Sequence, residues 1–369
     1  MKLLRSYKLP AYMTSEEFGP ELILEFNYAS EGCSGLIVVD STLLGPSKGG
    51  LRIVKATSVE EICSLARVCT YRNALLDIPF GGGRSAIIYD YDRMGRNGRE
   101  RLLRSFARLL NSTIRRKYIV EPDLNTGPED MKAVAEELGR WNASAGKPRG
   151  YCTKGGRKSG IPHEPEVAAL GIFHATVTAA SQLNIPLRGM RVLSVGLGTV
   201  GEQLSSKLVG VGAHVTGILE PSSSAEGVTE GNSVTGIPGF LKLGVDVIIV
   251  GCQCPRALVE RISEEADAKL VIEGGDLALG HELRERLTRR DIVTLPDLVA
   301  NCGGAVASLC ELRGMRPETV PLVIEKRAVR SVIEVLGRAE LQDMTPAEAA
   351  VQLAENKLRG RKKELQGAH

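Results

Sequence analysis

The segment that most constrains the fold is a glycine-rich loop between a predicted strand and a predicted helix. The apolar run Arg191–Val195 leads directly into this loop, and a helical pattern begins at Glu202. The loop consists of Gly196, Leu197, Gly198, Thr199, Val200 and Gly201. In this context the first glycine permits a tight turn, the second lets a pyrophosphate approach the backbone, and the third lets the helix pack on the strand. The segment therefore predicts a dinucleotide-binding βαβ unit, with the phosphates at the helix N-terminus.

The acidic residue Glu220 decides which dinucleotide we expect. It ends the second predicted strand, 22 residues after Gly198. A carboxylate there accepts hydrogen bonds from the adenine-ribose hydroxyls and repels a 2′-phosphate, which favours NAD. NADP stays open as the alternative, because Leu219 could be aligned with the acidic position instead. The adjacent serines at 222–224 could also receive a phosphate.

Beyond a loop-rich stretch at 141–148, strand and helix patterns alternate and predict an α/β fold with a parallel, doubly wound sheet. Strands are predicted at 191–195, 214–219, 245–250, 270–273 and 291–295. A length of 369 residues favours two domains over a single core. We expect an N-terminal substrate and oligomerisation domain (1–145), a dinucleotide-binding domain (146–330) and a helical tail (331–369).

Composition limits the classes of partner. The formal net charge of +3 is too small for a nucleic-acid surface. No apolar stretch is long enough to cross a bilayer, and the first residues lack the apolar core of a signal peptide. Eight scattered cysteines favour reduced thiols in the cytoplasm, and the five histidines lack the spacing of metal ligands. We expect a cytoplasmic protein with a small-molecule substrate, and neither a metal, a nucleic acid nor a membrane as partner.

Six segments occur in the order typical of one enzyme family. They are Gly45–Arg52, Thr70–Leu75, Pro79–Ser85, Glu121–Thr126, Val271–Asp276 and Leu295–Gly304. Together they resemble the glutamate/leucine/phenylalanine/valine dehydrogenase family over most of the chain. The resemblance implies oxidative deamination of an L-amino acid to a 2-oxo acid with NAD(P), in a cleft between two domains of a homo-oligomer.

The resemblance also assigns roles to residues. Arg72 matches the lysine that holds the substrate carboxylate, Arg84 matches the catalytic lysine, and Asp123 matches its acid/base partner. Further candidate binding residues are Lys48 and Gly49 on the substrate side and Asn301 near cofactor and substrate.

The two arginines separate in their chemistry. A guanidinium at position 72 pairs with a carboxylate at least as well as an ammonium does. A guanidinium at position 84 stays protonated, so it cannot cycle a proton, and that task moves to Asp123. Arg84 could instead form a structural ion pair with Asp123, and Arg72 or Lys48 could be an ordinary surface residue.

Two functions follow from the sequence. The first is NAD(P)-dependent hydride transfer between an L-amino acid, or an imine, and a 2-oxo acid. The alternative is a non-catalytic, dinucleotide-binding member of the family with a regulatory or assembly role.

Overall fold

The computed structural model describes residues 2–3, 16–28, 32–90, 95–153, 156, 158–219, 228–230, 233–235, 244–251, 254 and 256–367. The chain forms two compact units. The N-terminal unit combines Met1–His163 with Gly304–Val320 and Ala354–His369, and the dinucleotide unit combines Glu164–Gly303 with Pro321–Leu353. Both units are discontinuous in sequence, so their limits differ from the single cuts at 145 and 330 that composition predicts.

The N-terminal unit is built on a six-stranded mixed sheet. Its strands are β1 (Lys2–Leu3), β2 (Leu22–Tyr28), β3 (Cys33–Ser41), β4 (Ser47–Val54), β5 (Gly81–Ile88) and β6 (Tyr118–Pro122). They lie in the order β1-β2-β3-β5-β4-β6. Strand β4 runs parallel to both β5 and β6, while the pairs β1/β2, β2/β3 and β3/β5 are antiparallel.

Each face of this sheet has a different cover. Helices α2 (Arg96–Thr113) and α3 (Pro128–Glu137) pack on one face through an apolar core that includes Leu51, Ile87 and Phe106. Helix α1 (Val59–Leu75) packs against β3 and β5. Because side chains alternate along a strand, Arg84 and the even-numbered residues of β4 lie on the face opposite Leu51 and Ile87.

Helix α1 begins at a side-chain cap and ends ahead of a proline. Ser58 caps it by accepting a hydrogen bond from the amide of Glu61 at 3.1 Å. The Glu61 carboxylate accepts from Arg52 Nη1 at 2.7 Å. The helix ends at Leu75, ahead of Pro79, because the residue before a proline is disfavoured in the α region.

The dinucleotide unit contains a seven-stranded sheet that is parallel over five strands. Its strands are β7 (Arg191–Val195), β8 (His214–Leu219), β9 (Val228–Glu230), β10 (Ser233–Thr235), β11 (Val247–Val250), β12 (Leu270–Glu273) and β13 (Val293–Leu295). The order is β10-β9-β8-β7-β11-β12-β13, with β9 and β10 antiparallel at one edge. The five predicted strands and the doubly wound fold are confirmed.

Helices cover both faces of this sheet. Helices α6 (Arg256–Glu265) and α7 (His281–Thr288) pack on one face through a core that includes Leu193, Ile248 and Ile262. Helices α4 (Pro165–Gln182) and α5 (Thr199–Gly210) pack against each other and contact β7, β8 and β12. The short helix α8 (Asp297–Ala300) follows β13.

Three helices complete the described chain: α9 (Gly303–Arg313), α10 (Val320–Gln342) and α11 (Pro346–Gly367). A capping box begins α11, since Thr345 N donates to Glu348 Oε2 at 2.9 Å and Glu348 N donates to Thr345 Oγ1 at 3.3 Å. Within the N-terminal unit, the Tyr71 hydroxyl donates to Glu355 at 2.9 Å and thereby ties the middle of α11 to α1. Among the described helices, none has the length and apolarity needed to cross a membrane.

Candidate active site

The predicted glycine loop lies at the carboxyl end of β7, between that strand and α5. Gly198 occupies the N-cap of α5 with φ 56° and ψ −140°, a conformation that favours glycine. A Cβ built on Gly198 would meet no atom within 4 Å, so the loop presents open backbone rather than packed side chains at this point. That combination fits the close approach of a pyrophosphate to a helix N-terminus.

The strand order places this loop at the switch point of the sheet. The chain leaves β7 toward β8 on one side and returns to β11 on the other side of β7. In open α/β sheets, ligands bind at the carboxyl ends of the strands where the order reverses. The N-terminal amides of α5 and the loop Gly196–Gly201 could therefore hold the diphosphate of NAD(P). Glu220, predicted to select NAD, lies outside the described residues.

Asn301 lies at the same carboxyl edge of the sheet, within the dinucleotide unit. It follows α8, and its Nδ2 donates to Asp276 Oδ1 at 2.9 Å. Nearby, Asp297 Oδ2 accepts from the amide of Leu277 at 2.9 Å. These bonds fix the loop after β12 against the loop after β13, which gives Asn301 a defined position beside the predicted cofactor site.

Glu273, at the end of β12, has a structural role. Its two carboxylate oxygens accept from Arg284 Nε at 2.6 Å and Arg284 Nη2 at 2.8 Å, in a buried bidentate pair. This pair ties β12 to α7. The amide of Leu279 also donates to Glu273 Oε2 at 3.2 Å, so the carboxylate is engaged within the dinucleotide unit.

Three of the predicted site residues, Lys48, Arg84 and Asp123, gather on one face of the N-terminal sheet. Lys48 and Arg52 lie on β4, Arg84 lies on β5, and Glu121 and Asp123 lie at the end of β6. Residues two apart on a strand share a face, so the pairs on β4 and at the end of β6 point the same way. The parallel register of β4 with β5 and β6 brings these side chains together.

Asp123 is held between two guanidinium groups. Its Oδ2 accepts from Arg84 Nη2 at 2.7 Å and from Arg52 Nε at 2.7 Å. The side chains of Arg84 and Arg52 are 7% and 8% exposed, so both ion pairs are largely shielded from water. Arg52 is held in turn by Glu61. The predicted Arg84–Asp123 ion pair is therefore present, and a second arginine shares the same carboxylate oxygen.

The backbone of Asp123 is fixed independently of its side chain. Its amide donates to Thr126 Oγ1 at 2.9 Å, and its carbonyl accepts from the Thr126 amide at 3.0 Å. This turn satisfies the backbone without using the carboxylate. The carboxylate is thus directed at Arg52 and Arg84, and it does not cap the turn before Pro128.

Arg72 is buried in the last turns of α1, with 6% of its surface exposed, so it is not a surface arginine. It lies one turn beyond Cys69, whose Sγ accepts from Arg84 Nη1 at 3.7 Å. Residues three apart share a face of a helix, so Arg72 faces the same side of α1 as the residue that contacts Arg84. The role predicted for Arg72, holding a substrate carboxylate, stays a prediction.

Gly49 and Lys48 form a tightly packed part of β4. A Cβ on Gly49 would lie 1.7 Å from the Gly83 carbonyl oxygen, so only glycine allows this approach of β4 to β5. The buried Tyr118 hydroxyl donates to the Gly49 carbonyl at 3.0 Å and holds the strand from the other side. Gly49 therefore has a packing reason for being glycine, beside its predicted place near the substrate.

Lys48 is buried and pairs with a carboxylate of the chain itself. Its Nζ lies 2.6 Å from Glu121 Oε1, and its side chain is 1% exposed. Burial alone raises the pKa of Glu121, but the Lys48 ammonium, together with hydrogen bonds from Lys48 and Ser308, outweighs burial and leaves this pKa below its ordinary value. Glu121 is accordingly a stable carboxylate at neutral pH.

His163 extends this polar group. Its Nε2 lies 2.9 Å from Ser308 Oγ on α9. Burial lowers the pKa of His163 to about 4, so the ring is neutral at pH 7. Ser308 is also among the groups that lower the pKa of Glu121, so His163, Ser308 and Glu121 form one polar group.

Sequence reasoning did not assign Arg52, Glu121, Ser308 or His163 to the site. A signal for two of them exists, since Arg52 and Glu121 keep the period-two spacing of Lys48 and Asp123 on their strands. Ser308 and His163 are 145 residues apart in the chain and meet only through the fold.

Comparisons with known proteins identify the family. A family model described as "Glu/Leu/Phe/Val dehydrogenase, dimerisation domain" matches residues 20–140. A second model, described as "Glutamate/Leucine/Phenylalanine/Valine dehydrogenase", matches residues 224–365. Valine dehydrogenase from Streptomyces virginiae is 29% identical over 357 residues, covering 93% of this chain and 95% of that protein. Phenylalanine dehydrogenase from Thermoactinomyces intermedius is 28% identical over 355 residues, covering 93% of each.

Solved structures show the same fold. The hetero-hexameric glutamate dehydrogenase from Thermus thermophilus superposes with a TM-score of 0.79 at 23% identity, over 95% of this chain and 90% of that chain. L-Tryptophan dehydrogenase from Nostoc punctiforme gives a TM-score of 0.68 at 21% identity, over 93% and 97%. The chain therefore belongs to the glutamate/leucine/phenylalanine/valine dehydrogenase family, whose members are NAD(P)-dependent oxidoreductases of amino acids.

Proposed function

We propose that this chain transfers hydride between NAD(P) and an L-amino acid, or the imine derived from it, with a 2-oxo acid as the oxidised product. The observation that carries the proposal is the convergence of Arg84 and Asp123 on one sheet face, beside the helix face that carries Arg72. Bound NAD(P) supplies the hydride acceptor or donor. The names of the relatives include both neutral and acidic amino acids, so similarity alone does not select the substrate.

In this proposal Arg72 binds the substrate carboxylate, and Arg84 stabilises negative charge that develops on the substrate oxygen. Asp123 carries the proton. Oδ2 already accepts from two guanidinium groups, so proton exchange at that oxygen requires one ion pair to lengthen. Reduction of a preformed imine places the smallest demand on such a site, because no water has to be activated.

The proposal includes NAD as the cofactor, with NADP as the alternative, and a homo-oligomeric protein in the cytoplasm. The helix N-terminus at Gly198 supports the dinucleotide, and the match to a family dimerisation domain supports assembly. Binding of NADH and NADPH measured by calorimetry separates the two cofactors. Light scattering on the eluted protein measures the number of subunits.

A second function is favoured by the arginines around Asp123. A guanidinium does not release its proton at physiological pH. Here the guanidinium groups of Arg52 and Arg84 both bind Oδ2 of Asp123. A member of the family with this site would bind the dinucleotide and assemble without turning over. It would act as a regulatory or assembly subunit.

One experiment separates the two functions. Purified wild-type protein and the double variant Arg72→Lys/Arg84→Lys are assayed for NADH oxidation with a panel of 2-oxo acids and ammonia or amines, and NADH binding is measured in parallel. Arg256→Lys, at a side chain that is 82% exposed, is the matched control.

Turnover by the wild-type protein supports the oxidoreductase. A wild-type protein that binds NADH without turnover, together with activity gained in the double variant, supports the non-catalytic subunit. Absence of NADH binding to either protein contradicts both functions.

A further inference from the structure

Lys48 belongs to a group of donors that could bind a carboxylate, and the carboxylate that occupies them here is Glu121 of the same chain. A buried ammonium and a hydroxyl, from Lys48 and Ser308, converge on one carboxylate. Lys48 comes from β4, Glu121 from β6 and Ser308 from α9, so three separate elements contribute to the group. An ammonium and a hydroxyl in a shielded position are the donors that a ligand carboxylate would use.

The Lys48–Glu121 pair lies close to Asp123, the proposed proton carrier. Glu121 precedes Asp123 by two residues on the same face, which separates their backbone positions by about 6–7 Å. Gly50 lies between Lys48 and Arg52 on β4, and a Cβ on it would be 2.7 Å from Asp123 Cβ. Because the space of a side chain at Gly50 is taken by Asp123 and Arg84, Asp123 packs directly against β4 between Lys48 and Arg52.

Exposure distinguishes the two partners. The Lys48 side chain is 1% exposed, whereas the Glu121 side chain is 11% exposed. A ligand approaching the pair from solvent therefore meets the carboxylate rather than the ammonium. Like charges at short range in a shielded site repel strongly, so a second acid group on the ligand would be disfavoured there.

We propose that Glu121 is a specificity-determining residue, which occupies Lys48 and Ser308 and makes the substrate site select neutral side chains against acidic ones. The proposal rests on the proposed function, because it places the substrate's reacting carbon at Asp123. It names amino acids with uncharged side chains, and their 2-oxo acids, as the substrate class.

The test compares two 2-oxo acids of similar size, 4-methyl-2-oxopentanoate and 2-oxoglutarate, in NADH oxidation with ammonia. Glu121→Gln removes the internal charge and keeps the shape of the side chain. We expect it to raise kcat/KM for 2-oxoglutarate relative to the neutral acid by about tenfold to a hundredfold, the range of one charge-assisted hydrogen bond. Adding Lys48→Met to Glu121→Gln should abolish this gain.

The control is Glu129→Gln, which removes the same charge at a side chain that is 77% exposed. It should leave the substrate ratio unchanged. An equal rise in both variants would overturn the proposal, since it would reflect net charge alone. So would a Glu121→Gln protein with the wild-type ratio.

Measuring the equilibrium binding of the 2-oxo acids tests the proposal even if the protein does not turn over. Calorimetry with 2-oxoglutarate and NADH should show tighter binding to Glu121→Gln than to the wild type, even if neither protein is active. Equal affinities, including no measurable binding by either, overturn the proposal. Should Glu121→Gln not fold, wild-type binding still decides: glutarate should bind about tenfold more weakly than 4-methylpentanoate, and equal binding overturns the proposal.

Discussion

Replacing Lys147 by methionine should destabilise the protein by about 3 kcal/mol, because it leaves a buried carboxylate without its counter-ion. Lys147 Nζ lies 2.5 Å from Glu311 Oε1, and both side chains are 0% exposed. Removing one partner of such a pair costs about 3–5 kcal/mol. The lower end applies here, because Glu311 Oε2 also accepts from the amides of Gly146 at 2.8 Å and Ile161 at 3.1 Å.

The pH dependence of this loss has a definite sign. Burial raises the pKa of Glu311, and the Lys147 ammonium opposes that effect. Without the ammonium, the folded state binds a proton on Glu311 more readily than the unfolded chain does. A group with a raised folded pKa contributes stability at low pH and loses it as pH rises. The destabilisation by Lys147→Met should therefore be larger at pH 7 than at pH 5.

Urea denaturation followed by circular dichroism and tryptophan fluorescence measures the effect. The chain has one tryptophan, Trp141, whose ring centre is 4.3 Å from Lys147 Nζ, so its fluorescence reports on this region. Glu311→Gln in the Lys147→Met background should recover part of the loss, because the amide oxygen still accepts two backbone hydrogen bonds. Lys132→Met, at a side chain that is 38% exposed, should cost less than about 1 kcal/mol. A loss of that small size for Lys147→Met would refute the reasoning.

Two further predictions concern His163 and Gly198. Because burial lowers the pKa of His163 to about 4, the unfolded chain takes up this proton first, and stability falls by up to about 3 kcal/mol as pH drops from about 6.5 to 4. His163→Gln should make the denaturation midpoint depend less on pH over that range, whereas His281→Gln, at an exposed side chain, should not. An unchanged pH dependence in His163→Gln would count against the lowered pKa of His163. Gly198→Ala should cost about 1–3 kcal/mol of backbone strain and weaken NADH binding by calorimetry, since φ is 56° there. Gly210→Ala, within α5, should leave both unchanged or improve stability, and equal effects of the two substitutions would refute the role of the loop.

The dinucleotide unit was predictable because its signals are local. Each parallel strand is a short apolar run, and buried strands such as β11 and β12 are apolar on both faces. The glycine loop specifies the strand–turn–helix geometry within a few residues. The antiparallel strands β9 and β10 lack such runs, so no local pattern predicted them.

The N-terminal site was predictable only in part because its partners are distant in sequence. Arg84 and Asp123 could be paired in advance through the family motifs, but the shared use of Oδ2 by Arg52 depends on the strand order β5-β4-β6. Likewise, Lys48 was assigned to the substrate from its motif. The ion pair between Lys48 and Glu121 depends on the parallel register of β4 with β6, and no local sequence pattern specifies that register.

The questions of activity and specificity have the same electrostatic origin. On the face that carries Lys48, Arg52 and Arg84, the chain supplies its own carboxylates, Glu121 and Asp123, to the donors that a substrate would use. A substrate gains from these donors only the difference between its own interaction and that of the internal carboxylate. Arg84→Lys changes that difference at the donor that binds Asp123. Glu121→Gln changes it at Lys48. The two substitutions should therefore act separately, the first on the rate of hydride transfer and the second on the choice of side chain.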